Sequence, residues 1–285
     1  MGYKTMATRS EPTRTRPIRH HGRRGVGGIC HDEPVTKLAY MVRDDWGQDG
    51  TAMVPQSAVI REWIGALPYL FAVTDVKKFN LDDRGADVDA AEYIAPNKSE
   101  RVVFNISELA RLEREDEVID HAVVVLHPFG QRELDTIQRT VEADSVGQLF
   151  VLIWSGHDMV RTWLDGLGAL NLHTHESVSA NDPLLLVAAK MIKDEDYNGL
   201  SSGRGKAVVV QLVLGLAAEG YPVKLDSWLR AYFAVGGSFR HAESIAKLVN
   251  EMVAGTKHRV TQRYGDNIVE ILRERLSENE AVTPE

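Results

Sequence analysis

The chain has 285 residues, 44% hydrophobic and 26% charged, the balance of a globular protein able to bury a core without disulfide or metal staples. Its formal charge of -8 is uneven: residues 1–29 hold seven Lys and Arg against Glu11, leaving 26 basic and 40 acidic groups for the rest. So acidic a body excludes electrostatic coating of nucleic acid, and a single cysteine, Cys30, excludes an intrachain disulfide or multi-cysteine zinc site and fits a reducing, cytoplasmic setting.

Residues 1–33 read as a disordered basic arm without the apolar h-region of a secretory signal. Cys30-His31-Asp32-Glu33 has metal-friendly residue types, but its mobile, Gly-rich approach makes a weak chelator. The longest apolar stretch, 207–218, is interrupted by Gln211 and falls short of the roughly 20 residues that span a bilayer, so no membrane partner is expected.

From about residue 55 the pattern becomes regular. Pro55 opens a helix with Val59, Ile60, Trp63, Ile64 and Leu67 on one stripe, and 69–73 reads as a strand ending at Thr74-Asp75. The stretch 80–99 is rich in Asp and Asn without a convincing period and reads as a long loop or lid. A short strand at 101–104 precedes a helix through Leu109 and Leu112. The runs 121–126 and 149–154 are continuously apolar, as in strands covered on both faces. Helices follow each, carrying Leu134, Ile137 and Val141, then Val160, Trp163, Leu164 and Leu167. The alternation over 169–175 predicts one more strand.

After Asp182-Pro183, an N-cap and first-turn proline, the chain reads as wholly helical. A nearly all-apolar helix covers 206–219, amphipathic helices cover roughly 226–235 and 239–254, and a last one runs from Asp266 to about Leu276. Strands alternating with helices of 10–15 residues imply a parallel sheet. The expected fold class is therefore α/β: a Rossmann-like three-layer domain over 55–180, then an all-α domain over 181–276 and a polar tail over 277–285.

Ligands of such sheets bind beyond the carboxyl ends of the strands. Those ends carry Asp75, His127, the run Ser155-Gly156-His157-Asp158, and His173 with His175. Asp75, His127, His157 and Asp158 are candidate acid–base groups, with Ser155 and Gly156 beside a bound ligand. Ser155 and Asp158 also have the spacing of a helix-capping turn. His173 and His175 on one strand face are candidate ligands for a divalent metal, with Asp158, His157 or Asp182 as a third. Asp75 with Asp158 would suit magnesium.

The loop Gly199-Leu-Ser-Ser-Gly-Arg-Gly-Lys206 precedes a helix, which makes Arg204 and Lys206 candidate phosphate contacts. It is no Walker A loop, because position 200 is Leu, Ala207 stands where Ser or Thr is needed, and no strand precedes it. Helices 226–235 and 239–254 flank Gly236-Gly237 as in a helix-turn-helix, with Arg240, Glu243, Lys247, Lys257 and Arg259 as candidate DNA contacts. A plain helical hairpin has the same pattern, and Trp228, Tyr232, Phe233 and Phe239 read as core. The leading expectation is an enzyme, a metal-assisted hydrolase or transferase, acting on a nucleotide or other phosphorylated small molecule at the strand ends. The rivals are a ligand-sensing regulator that binds DNA and a non-catalytic interaction module.

Overall fold

The computed structural model describes residues 36–43, 53–81, 85–111, 119–178 and 181–282, so the expectations for the basic arm and for Cys30 to Glu33 lie outside the described residues. The described strands form one seven-stranded sheet in the order β3-β2-β4-β5-β1-β6-β7. They are β1 (Lys37–Val42), β2 (Tyr69–Val73), β3 (Val102–Asn105), β4 (Ile119–Leu126), β5 (Val146–Ile153), β6 (Leu170–Asn171) and β7 (Glu176–Ser177). Every pairing is parallel except the β6–β7 hairpin. The helices are α1 (Met53–Ile64), α2 (Val76–Leu81), α3 (Ala86–Ile94), α4 (Gln131–Glu142) and α5 (Met159–Gly166), then α6 (Pro183–Lys193), α7 (Gly203–Ala218), α8 (Leu225–Ala234), α9 (Phe239–Val253) and α10 (Ile268–Val282).

Alternate strand residues feed two cores, which is why the central runs are apolar at every position. Phe71, Val73, Val124 and Leu126 pack with Ile60 and Ile64 of α1 and with Ala90, Ala91 and Ile94 of α3. On the opposite face, Ala72, Val123, Val125 and Val151 pack with Ile137 of α4 and Val160 and Trp163 of α5, and this core continues into α6 to α10. The helices of the C-terminal half therefore share a core with one face of the sheet. Trp163 meets Phe239 at 5.7 Å between ring centroids, and the buried Gln138 amide donates to the Gly237 carbonyl at 2.8 Å. Among the described residues no helix is long and apolar enough to cross a membrane.

Several local expectations need correction. The interior strand β1 lies before the point where the sequence turns regular, and it is placed between β5 and β6 by pairing with strands far along the chain. The predicted loop at 80–99 carries α3, preceded by the end of α2 and followed by a single 3-10 turn at Lys98–Glu100. The predicted strand at 169–175 ends at Asn171, because a tight turn at 172–175 folds it back on β7. The last helix continues past Leu276 to Val282. Elsewhere the caps work as the residues suggest: Asp182 accepts from the Leu184 and Leu185 amides at 2.9 and 3.2 Å, and Ser238 caps α9.

Candidate functional site

The sheet changes winding direction between β2 and β4. The chain leaves β2 through α2 and α3 on one face, whereas it leaves β4 through α4 on the other. Divergent connections open a crevice between the two strand ends, the general place for a ligand in a parallel sheet. Here it is a cavity of about 250 Å³ whose lining includes Asp75, Lys78, Asp87, His127, Phe129 and Trp154.

His127 is the first residue after β4. Its amide extends the sheet ladder to the Leu152 carbonyl at 2.9 Å. Its backbone then turns left-handed, with φ 44°, a conformation that costs a non-glycine residue of order 1 kcal/mol and persists only where surroundings hold it. Those surroundings are specific. The imidazole is 2% exposed, and it stacks on the Trp154 indole at 4.1 Å between centroids and 21° between planes. Its Nδ1 lies 2.5 Å from Oδ1 of Asp87. Its Nε2 is buried with no hydrogen-bond partner among the described residues.

Asp87 stands in the first turn of α3, where a carboxylate is favoured by the helix dipole. It is an acceptor, so the contact fixes the proton of neutral His127 on Nδ1 and leaves a lone pair on Nε2. Arg43, just past β1, spans the crevice edge. Its guanidinium lies 5.2 Å from the Trp154 ring centroid and donates to the Ala86 carbonyl at 3.3 Å, tying the end of β1 to the start of α3. A histidine with one nitrogen oriented by a carboxylate and the other unpaired is the minimal apparatus of general acid–base catalysis.

The structure brings together only part of the expected set. His127 and Asp75 line the crevice, and Asp75 also caps α2 by accepting from the Lys77 and Lys78 amides at 2.8 and 3.2 Å. Ser155, Gly156, His157 and Asp158 do not line it. Asp158 accepts from the Ser155 amide at 3.0 Å, Ser155 Oγ from the His157 amide at 3.3 Å, and the Gly156 carbonyl from Arg161 at 3.3 Å. These bonds make 155–158 a self-contained turn that opens α5, and His157 is exposed. Asp158 lines a neighbouring cavity of about 170 Å³ on the far side of Phe129.

His173 and His175 do not share a strand face, because both lie in the turn after β6 and His175 takes φ 59°. Of the three candidate third ligands, Asp182 caps α6, and Asp158 and His157 belong to the turn that opens α5. Among the described residues no three His, Cys, Asp or Glu side chains converge as metal ligands.

Arg204 and Lys206 sit in the first turn of α7 and line a separate cavity with Arg259 and Arg263. The candidate DNA contacts Arg240, Glu243, Lys247, Lys257 and Arg259 are all exposed, while Phe239 at the same helix start is buried against Trp163 and Phe233.

Asp87, Trp154 and Arg43 were not among the expected site residues. Asp87 had a local signal: acids at 87 and 89 precede Ala90, Ala91 and Ile94 at helical spacing, the pattern of a helix start. Trp154 closes an apolar run and looks like its continuation, so nothing local separates a crevice wall from a core residue. The chain matches no protein-family model, no curated protein and no solved structure at a significant level.

Proposed function

We propose that the protein is an enzyme acting on a small molecule in the crevice between the ends of β2 and β4, the switch point of a Rossmann-like sheet. In this reading His127 is the general acid–base group, Asp87 orients its ring, and Trp154 with Phe129 supplies the apolar walls. The observation that carries it is the buried, unpaired Nε2 of a backbone-strained histidine whose other nitrogen is held by a carboxylate. Structural histidines normally have both ring nitrogens satisfied, and strain of this kind concentrates at functional sites.

A cavity of about 250 Å³ is at the low end for ligand sites, with room for a small metabolite or one ring of a larger one. Among its described lining residues Lys78 is the single Lys or Arg, against Asp75 and Asp87. That charge balance favours a neutral or singly charged reacting group over a phosphate dianion.

Turnover of a metabolite mixture, followed by mass spectrometry, tests the reading. The wild type should deplete at least one compound, and His127→Asn should slow that depletion about 100-fold or more, the usual contribution of general acid–base catalysis. Asparagine tolerates left-handed backbone, so the variant keeps the turn. Asp87→Asn should slow it less. Equal depletion by wild type and His127→Asn would place any chemistry elsewhere.

A further inference from the structure

Two basic stretches of the acidic body, around Arg204–Lys206 and around Arg259–Arg263, meet. Arg204 and Lys206 stand at the start of α7, Arg259 and Arg263 more than fifty residues later in a segment without regular secondary structure, and all four line one cavity of about 520 Å³. Gln211, the polar interruption of the apolar helix, builds this meeting. Its Nε2 donates to the Thr261 carbonyl at 2.7 Å, and its Oε1 accepts from the amides of Arg263 and Tyr264 at 2.9 and 3.0 Å. Three bonds from one side chain pin 261–264 along α7 and hold the later arginines beside the earlier cations.

The cavity is unbalanced in charge and in hydrogen bonding. Among the described residues no Asp or Glu lines it. Arg204, Lys206 and Arg259 have no carboxylate within 4 Å among the described residues, and Arg204 shares the field of Glu195 with Arg263. Arg263 Nη2 reaches Glu195 at 2.8 Å, while its Nη1 is buried with no hydrogen-bond partner among the described residues. At the cavity itself four cations face one carboxylate, Glu195, while Lys206 also borders Glu243 and Glu251 on its other side, and a guanidinium with one buried donor left over wants an acceptor. Ser202 makes no side-chain cap bond, so the first amides of α7 add their dipole at the same end, and nothing lies within 4 Å of where a side chain on Gly203 would start.

We propose that this cavity binds the phosphate group of a small molecule, at a site distinct from the His127 crevice, with which it shares no lining residue. A phosphate monoester supplies close to two negative charges near neutral pH and three acceptor oxygens for converging cations, where a lone carboxylate would leave most of them unmatched. A small ligand fits better than duplex DNA because the site is concave and the body around it is acidic, with 40 acidic against 26 basic groups beyond residue 29.

Isothermal titration with inorganic pyrophosphate at low salt tests the proposal on the full chain. Saturable 1:1 binding is expected, weakened at least tenfold in Arg259→Gln and in Lys206→Gln, each checked for folding by circular dichroism. His127→Asn should bind like wild type, so this result is independent of whether the crevice is catalytic. Arg240→Gln, outside the cavity, should also leave affinity unchanged. Absence of pyrophosphate binding, or binding indifferent to both cavity substitutions, would overturn the proposal. So would tighter binding of a short DNA duplex through the same residues, because the ligand would then be a nucleic acid backbone.

Discussion

Replacing Gln211 with leucine keeps side-chain bulk on α7 but removes all three hydrogen bonds to 261–264. At about 1 kcal/mol net per bond the ceiling is about 3 kcal/mol. Gln211 is half-buried and Thr261 is exposed, so water replaces part of the loss. The expected cost is about 1–2 kcal/mol, or a fall in Tm of about 2–8 °C for a chain of this size. The damage should be local first, because the segment has no ladder of its own: amide exchange at Arg263 and Tyr264 should accelerate while the sheet amides stay protected. Urea denaturation monitored by circular dichroism gives the global figure, and exchange by NMR gives the local one. A stability change under about 0.5 kcal/mol with unchanged exchange at both amides would refute the idea that Gln211 positions the basic segment.

Three further outcomes follow from individual contacts. Gly166→Ala should cost about 1–3 kcal/mol by urea denaturation, since a methyl there would lie 2.7 Å from the Arg230 carbonyl where α5 crosses α8. Tyr40 is buried and donates to Asp165 at 2.5 Å, and burial, reinforced by that carboxylate, pushes its phenol well above the ordinary value near 10. Its contribution is full below the unfolded pKa, so the stability gap between wild type and Tyr40→Phe, about 1.5–3 kcal/mol at pH 7, should narrow as pH rises beyond 10. The hydrogen bond from Arg263 holds Glu195 below its ordinary value of 4.5, so this contribution is present above that pH and is lost as pH falls through the lower folded value. The stability difference between wild type and Glu195→Gln should therefore be steady near neutrality and disappear in acid, and a gap that survived at pH 2 would contradict the pairing.

What was legible in the sequence was what local chemistry dictates. The apolar runs of β4 and β5 announce burial on both faces, and Asp182-Pro183 announces a helix start, because each signal lies within a few residues of its effect. His127 was legible because it directly follows such a run. Its partner Asp87 was not, since forty residues separate them and only the winding of the sheet brings them together. The same limit hid β1, which takes its place from neighbours far along the chain, and the turn at 172–175, where alternation of residue types continued after the strand had ended. Both basic stretches were visible as charge, and their meeting depended on one glutamine reaching across fifty residues.

Chemistry at the His127 crevice requires the substrate to enter beside Trp154, and the tryptophan indole signals report that entry. Trp154 walls the crevice beside His127, whereas Trp228 lines a different cavity of about 170 Å³ between α6, α7 and α8. In a 15N–1H spectrum, any compound that the wild type depletes and His127→Asn does not should shift the Trp154 indole resonance and leave Trp228 in place. Shifts confined to Trp228, with Trp154 unmoved at saturation, would contradict the account.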